Sequence, residues 1–274
     1  MSVTDTIAVE RPPPPARGWP RARIVGYALV GLWILFGFGI LAYLVSAWNG
    51  EFFARYAPAY LQGLGTTLSL VAVSMVAGAI LSLPVTYGRM SNNRLLSWPA
   101  YCYVYFFRGT PLLVQVYLVY YGVGSFRVQL ESVGLWWFFR DAFNCGVFAF
   151  ALNTAAYQAE ILRGAIESVP RGQWEGAASL GLHKLQTLRK VILPQAIIVA
   201  LRPYGNELVL MIKASAIVAI ITVYDLMGNA KLAYAKSFDF QAYVWVAIVY
   251  LVMVEILRHG VEWIERRITI HLKR

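Results

Sequence analysis

Charged side chains are scarce in this sequence. They make up 14% of its 274 residues, where a soluble domain usually carries about a quarter. Cysteine is scarcer still. Cys102 and Cys145, the only two, both fall in apolar runs and form neither a disulfide framework nor a metal site. No glycine-rich loop ends in Gly-Lys-Ser or Gly-Lys-Thr, so the chain offers no phosphate cradle of that kind for a nucleotide. Acidic residues are few as well, 14 against 24 Lys and Arg, giving a formal net charge of +10. A nucleic-acid surface would gather those cations among aromatics on one face, and they are not gathered that way.

Apolar residues are what the sequence has, 59% of the total, with a mean hydropathy of +0.56. They form long runs, and roughly 20 consecutive apolar residues cross a bilayer as a helix. Six runs are expected to do so: Ile24–Trp48, Leu61–Tyr87, Leu95–Gly122, Phe143–Ile166, Leu193–Val223 and Tyr243–Ile264. Nine Trp and 17 Tyr suit the headgroup level of a bilayer. If the runs alternate from a cytoplasmic N-terminus, fifteen basic residues fall in cytoplasmic segments and five in outer ones. That asymmetry predicts both termini in the cytoplasm. The expected fold is an all-α membrane protein of about six spans.

Residues 1–23 include Pro12 to Pro15 in a row and lack apolar periodicity, which predicts a disordered cytoplasmic tail. Val45-Ser46-Ala47 has the small residues of a signal cleavage site, but the run before it is long for a signal peptide, so residues 24–48 are read as a retained anchor. Pro84, Pro111, Pro194 and Pro203 lie within spans, where neighbouring helices must satisfy the freed backbone groups. Ionisable residues at membrane depth are costly and mark structure or function. Asn153, Tyr157 and Glu160 form one stripe, and Glu160 can pair with Arg163. Arg202, Asn206, Glu207 and Lys213 follow on the fifth run. Asn206, Glu207, Lys213, Asn153 and Glu160 are the candidate solute path, and a helix-gluing ion network is the competing reading. Arg108, Gly109, Thr110, Pro111 and Arg163 are read as structural.

Between the fourth and fifth runs lies a polar stretch from Ser168 to Gln195. Pro170 and Gly172 should stop the incoming helix. Gln173 to Leu180 can form two helical turns, and Gly181 suits the left-handed position that closes them. A second helical stretch, Lys184 to Ile192, leads to Pro194. Gly176, Ala177, Ala178 and Ser179 are small enough for a partner to approach closely, as in helix-in-groove recognition.

This stretch resembles the "EAA" coupling motif of type I ATP-binding-cassette importer permeases: Glu175-Gly176-Ala177, then Gly181, then Val191, Leu193 and Pro194. Gly176 replaces the motif's first alanine and Val191 its isoleucine. Arg108-Gly-Thr-Pro-Leu-Leu-Val-Gln115, Asn153 to Glu160, Arg163 to Pro170, Ile192 to Gln195 and Asn206-Glu207 resemble the polar amino-acid branch, nearest the histidine/lysine/arginine/ornithine and opine permeases. The likeness spans roughly residues 58–265. It implies a five-helix core over 58–265 with its coupling loop at 167–192, an added helix at 24–48 and a cytoplasmic tail at 266–274. It also implies coupling through Glu175, Gly176, Ala177, Gly181, Leu193 and Pro194, with Glu175 anchoring the helix on an ATPase. No enzyme activity and no cofactor or metal are expected of this chain; ATP and Mg would sit on the partner. The partners implied are a second permease subunit (identical or a paralogue), two ATPase subunits, a periplasmic solute-binding protein and the lipid bilayer, in a bacterial inner membrane. An ion-coupled secondary transporter is the alternative; it explains broken helices but not the coupling loop.

Overall fold

The computed structural model describes residues 20–46 and 48–269. The proline run and the last five residues of the expected tails lie outside that range. Among the described residues the regular structure is helical throughout. The chain divides into two units, the first ending at Gly50 and the second beginning at Glu51.

The first unit contributes α1 (Arg21–Ser46), 26 residues with no acidic side chain. The helix begins at Arg21, so Arg21 and Arg23 belong to it rather than to the tail. The second unit opens within the first turn of α2 (Gly50–Met90), 41 residues long, which continues through Pro58 and Pro84. This helix begins 11 residues before the expected run, because Phe52, Tyr56 and Tyr60 pack against a second apolar cluster formed with Leu226, Ala230 and Val246.

The third run is broken in two. Its first half is α3 (Arg94–Gly109), capped by the Asn93 side chain, which accepts from the Leu95 N–H. Its second half is α4 (Leu112–Tyr117), continued by a π-helical turn over Leu118–Val123, and the two halves are bent by 107°. Pro111 accounts for the break. Its ring cannot donate to the carbonyl four residues back and clashes with a continuing helix. Two short helices, α5 (Arg127–Ser132) and α6 (Trp136–Phe139), lead to α7 (Ala142–Glu167).

Helix α7 is the centre of the bundle. Phe150, Ala155, Ala156 and Ala159 are fully buried on it, and its small residues let neighbours close in. At Gly78 of α2, a side chain would collide with Thr154, so the two helices meet with almost no spacer. Among the described residues four helices are long and apolar enough to cross a membrane, and the bent α3–α4 pair makes a fifth if it is one span. Helix α7 has the length and not the apolarity, because it carries Asn153, Thr154, Gln158 and Glu160, which are buried or half-buried in the bundle.

The expected helical stretch Lys184–Ile192 does not stop at Pro194: α9 (Lys184–Thr187), a π-helical turn (Leu188–Ile192), α10 (Leu193–Ser215) and a 3-10 turn (Ala216–Ile221) run on as one 38-residue element. Pro194 sits in the first turn of α10, where a missing N–H is tolerated, and the wider π-turn precedes it. The outer segment after Val223 is itself helical. It forms α11 (Leu226–Ser237), headed by the buried Asp225, which accepts from the Gly228 N–H at 2.7 Å. Leu226 N–H in turn donates to Thr67 on α2 at 3.1 Å. The final helix, α12 (Gln241–Thr269), extends five residues beyond the expected span.

Candidate functional site

The polar loop folds as α8 (Arg171–Ser179), nine residues between α7 and the long fifth element. It ends as glycine chemistry requires. Gly181 has φ +72°, its N–H donates to Ala178 O at 2.9 Å, and Leu182 N–H donates to Ala177 O at 3.1 Å. Those two bonds make a Schellman cap, in which the left-handed residue turns the chain back over the last carbonyls.

One face of α8 is anchored. Ala177 is buried, and Trp174 packs on a cluster of Ala165, Ile166, Val169, Ile192, Ala196 and Ala200. That cluster joins the ends of α7 and α10, so a push on α8 is carried into both. The other face is bare. Gly172, Glu175, Gly176 and Ser179 are exposed, and no atom lies within 4 Å of where a side chain would begin at Gly172 or Gly176. Beside it stand Leu180, 81% exposed, and Leu185, 67% exposed. A bare backbone flanked by exposed leucines is suited to insertion into a partner's groove. Leu193 and Pro194, by contrast, start α10 and do not share that face.

The intramembrane polar residues separate into distinct clusters. Phe107 O is the carbonyl that Pro111 leaves without a helical donor. It accepts from Gln115 Nε2 at 2.9 Å and from Asn153 Nδ2 at 3.0 Å. Gln115 Nε2 also reaches Thr110 O and Oγ1, at 3.1 and 2.8 Å, and Asn153 donates to Gln115 Oε1 at 2.9 Å. Asn153 is therefore committed to holding the α3–α4 break on α7. Gln115 was missed in the sequence, although a proline four residues after Phe107 signals an orphaned carbonyl.

Glu160 collects arginines. Arg163 lies 2.7 Å away, as the spacing predicts, and Arg89 joins it at 2.8 Å. Arg89 lies 71 residues from Glu160 in the chain, and no local spacing reveals the pair. Glu207 is elsewhere, 6% exposed, accepting from Thr154 Oγ1 at 2.9 Å. No cation lies within ion-pair distance of it among the described residues. Its neighbour Asn206 points the other way, into a cavity of about 590 Å³ with Arg202, Arg258 and Glu262. Lys213 is exposed, apart from both. The five candidate path residues thus do not line one surface within this chain.

Residues 74–270 match the family described as the binding-protein-dependent transport system inner membrane component. The chain belongs to that family. This permease is 46% identical over 174 residues to the nopaline transport system permease protein NocM of Agrobacterium fabrum, covering 64% of this chain and 72% of that one. It is 36% identical over 213 residues to the arginine transporter permease protein ArtM of Escherichia coli K12, covering 78% and 96%. Among solved structures, a crystal structure of an amino acid ABC transporter with histidines matches with a TM-score of 0.71 at 35% identity, over 80% of this chain and 98% of that one. The inward-facing MetNI methionine transporter matches with a TM-score of 0.64 at 20% identity, which supports the fold alone. The permease is accordingly the membrane-spanning transport subunit of an ATP-binding-cassette importer, and it functions with the other components of such a transporter. Helix α1 lies outside the matched residues.

Proposed function

We propose that this permease imports arginine or an arginine-derived opine, driven by two ATPase subunits that engage α8. The observation that carries the coupling half is the bare glycine face of α8, anchored through Trp174 to both α7 and α10. Closure of an ATPase dimer against α8 would rock those helices as rigid bodies. ATP and Mg belong to the ATPase chains in this reading. A second permease, identical or a paralogue, completes the pathway, and a periplasmic binding protein delivers the solute. The subunit lies in a bacterial inner membrane with both termini cytoplasmic, which the excess of basic residues in the cytoplasmic segments supports.

The cargo half rests on chemistry shared by relatives named for nopaline, octopine and arginine transport. Nopaline and octopine are arginines carrying a further carboxylate-bearing group on the α-nitrogen. All three therefore present a guanidinium and at least one carboxylate. Uptake of labelled L-arginine and nopaline into vesicles holding the whole complex tests the reading. Uptake of one or both that stops on ATP depletion is expected. Uptake that persists on a proton gradient without ATP would instead support a secondary transporter, and uptake of neither solute would remove the cargo assignment.

A further inference from the structure

The turn joining α11 to α12 holds a bulky residue where a helix more often ends on glycine. Helix α8 closes on Gly181 at φ +72°, but α11 closes on Phe238 at φ +53°. Phe238 fills the cap position, its N–H donating to Tyr234 O at 2.7 Å. A left-handed backbone is unfavourable for an L side chain, and phenylalanine has no polar group to offset that locally. Packing within the chain offsets little of it. Phe238 is 80% exposed, with the ring of Tyr234 beside it at 6.3 Å between centres. Strain left uncompensated by the chain points to a contact outside the chain.

The surroundings say which contact. Phe240 is also exposed; its ring lies 5.8 Å from Tyr243, which in turn lies 5.1 Å from Tyr234. This aromatic patch runs directly into the apolar surface of α12. From Gln241 to Val254 that helix carries no charged side chain, which is about 21 Å of its length. Most of a hydrocarbon core of about 30 Å is thereby crossed, so the turn before Gln241 stands where hydrocarbon gives way to headgroups. Aromatic side chains settle at that level. Lys236 is exposed on the same turn and forms no ion pair among the described residues, leaving its ammonium for a lipid phosphate. The backbone suits thin water as well: Asp239 N–H donates to Ser237 Oγ at 3.1 Å, and Gln241 N–H donates to Asp239 Oδ1 at 2.9 Å.

We propose that the α11–α12 turn is a lipid anchor. Phe238 and Phe240 insert at the headgroup boundary of the leaflet opposite α8, and Lys236 meets a phosphate there. That leaflet follows from the chain path, because α11 comes after the far end of the 38-residue element whose first turns pack beside α8. Lipid contact holds Phe238 in its left-handed conformation and so fixes the end of α11, whose start is tied to α2 through Thr67.

Depth measurement by spin label tests this. Phe238→Cys and Phe240→Cys are each labelled with a nitroxide in a Cys102→Ser chain; Cys145 is buried. The complete permease–ATPase complex is placed in nanodiscs of phosphatidylcholine and phosphatidylglycerol, without binding protein. Both labels should relax severalfold more with oxygen, which concentrates in lipid, than with a water-soluble nickel chelate. Adding Phe238→Asn, which keeps the left-handed backbone and removes the ring, should shift the label at 240 toward the chelate. If Phe238→Cys does not assemble, the label at 240 and its response to Phe238→Asn decide the matter alone. Labels that favour the chelate would place the turn in water and overturn the proposal, as would a label at 240 that ignores Phe238→Asn. Labels open to the chelate until the periplasmic binding protein is added, and then shielded from both reagents, would make the turn a protein-docking surface and overturn it too.

Discussion

Gln115 donates a 2.9 Å hydrogen bond to the carbonyl of Phe107, the group whose helical donor Pro111 removes. The break between α3 and α4 is thus chemically complete: one side chain replaces the missing backbone donor, and Asn153 ties the same carbonyl to α7. Irregular backbone at membrane depth survives only when its polar groups are answered in this way.

Removing that answer should loosen the bundle. Gln115→Leu leaves Phe107 O and Thr110 O short of a donor, at a cost of about 1–3 kcal/mol. The thermal midpoint of the purified complex should fall, and adding Asn153→Leu should lower it by less than the sum of the two single changes, because the residues share a bond. Strict additivity would mean that the two act independently.

Gly181 gives a sharper local test. At φ +72° an alanine is strained by roughly 1–2 kcal/mol, and asparagine tolerates the region better. Gly181→Ala should reduce ATP-driven uptake with the subunit still in the membrane, and Gly181→Asn should recover most of it. Equal uptake by all three chains would show that the cap of α8 does not matter for coupling.

Glu160 and Glu207 should part company. Glu160→Gln strips the charge that holds Arg89 and Arg163, and a part-buried pair broken on one side is strongly destabilising. Its membrane level should drop. Glu207→Gln keeps its shape, and Thr154 can still donate to the amide oxygen. That variant should assemble normally and transport a cationic amino acid more slowly. Wild-type transport by Glu207→Gln for every solute would leave the residue as helix glue.

Helix α1 lies outside residues 74–270, the part shared with the family. A chain lacking residues 1–48 should insert and still transport. Correct insertion with no uptake would give α1 a role in the transport cycle.

What the sequence disclosed depended on how local the physics was. Gly181 was legible because a helix stop needs a left-handed residue, and Glu160–Arg163 because three residues bring side chains together on a helix. Arg89 and Gln115 were not, since their partners come from distant turns of the chain or from a carbonyl that no residue pattern names. The sharp bend after Gly109 was hidden because a proline within a span can mean a kink or a full break. Helix α11 was hidden by Lys231 and Lys236, two of the five basic residues assigned to outer segments, which lie on its exposed side. Its buried side, Leu226, Ala230 and Ala233, follows helical spacing, and Asp225 ahead of it was the available cap signal.

The central claim is that α8 transmits ATPase closure to the bundle, and Glu175 on its bare face tests this most directly. Glu175 is exposed and its carboxylate has no partner among the described residues, so reversing its charge should not disturb the fold of the subunit. At an interface with the ATPase, the same reversal sets a like charge or an unpaired buried charge against the partner, costing several kcal/mol. The measurement is ATP-driven solute uptake into proteoliposomes by Glu175→Lys, with subunit assembly quantified in parallel. The account predicts a loss of at least tenfold in uptake by a subunit that still reaches the membrane; uptake equal to wild type at equal subunit level would contradict it.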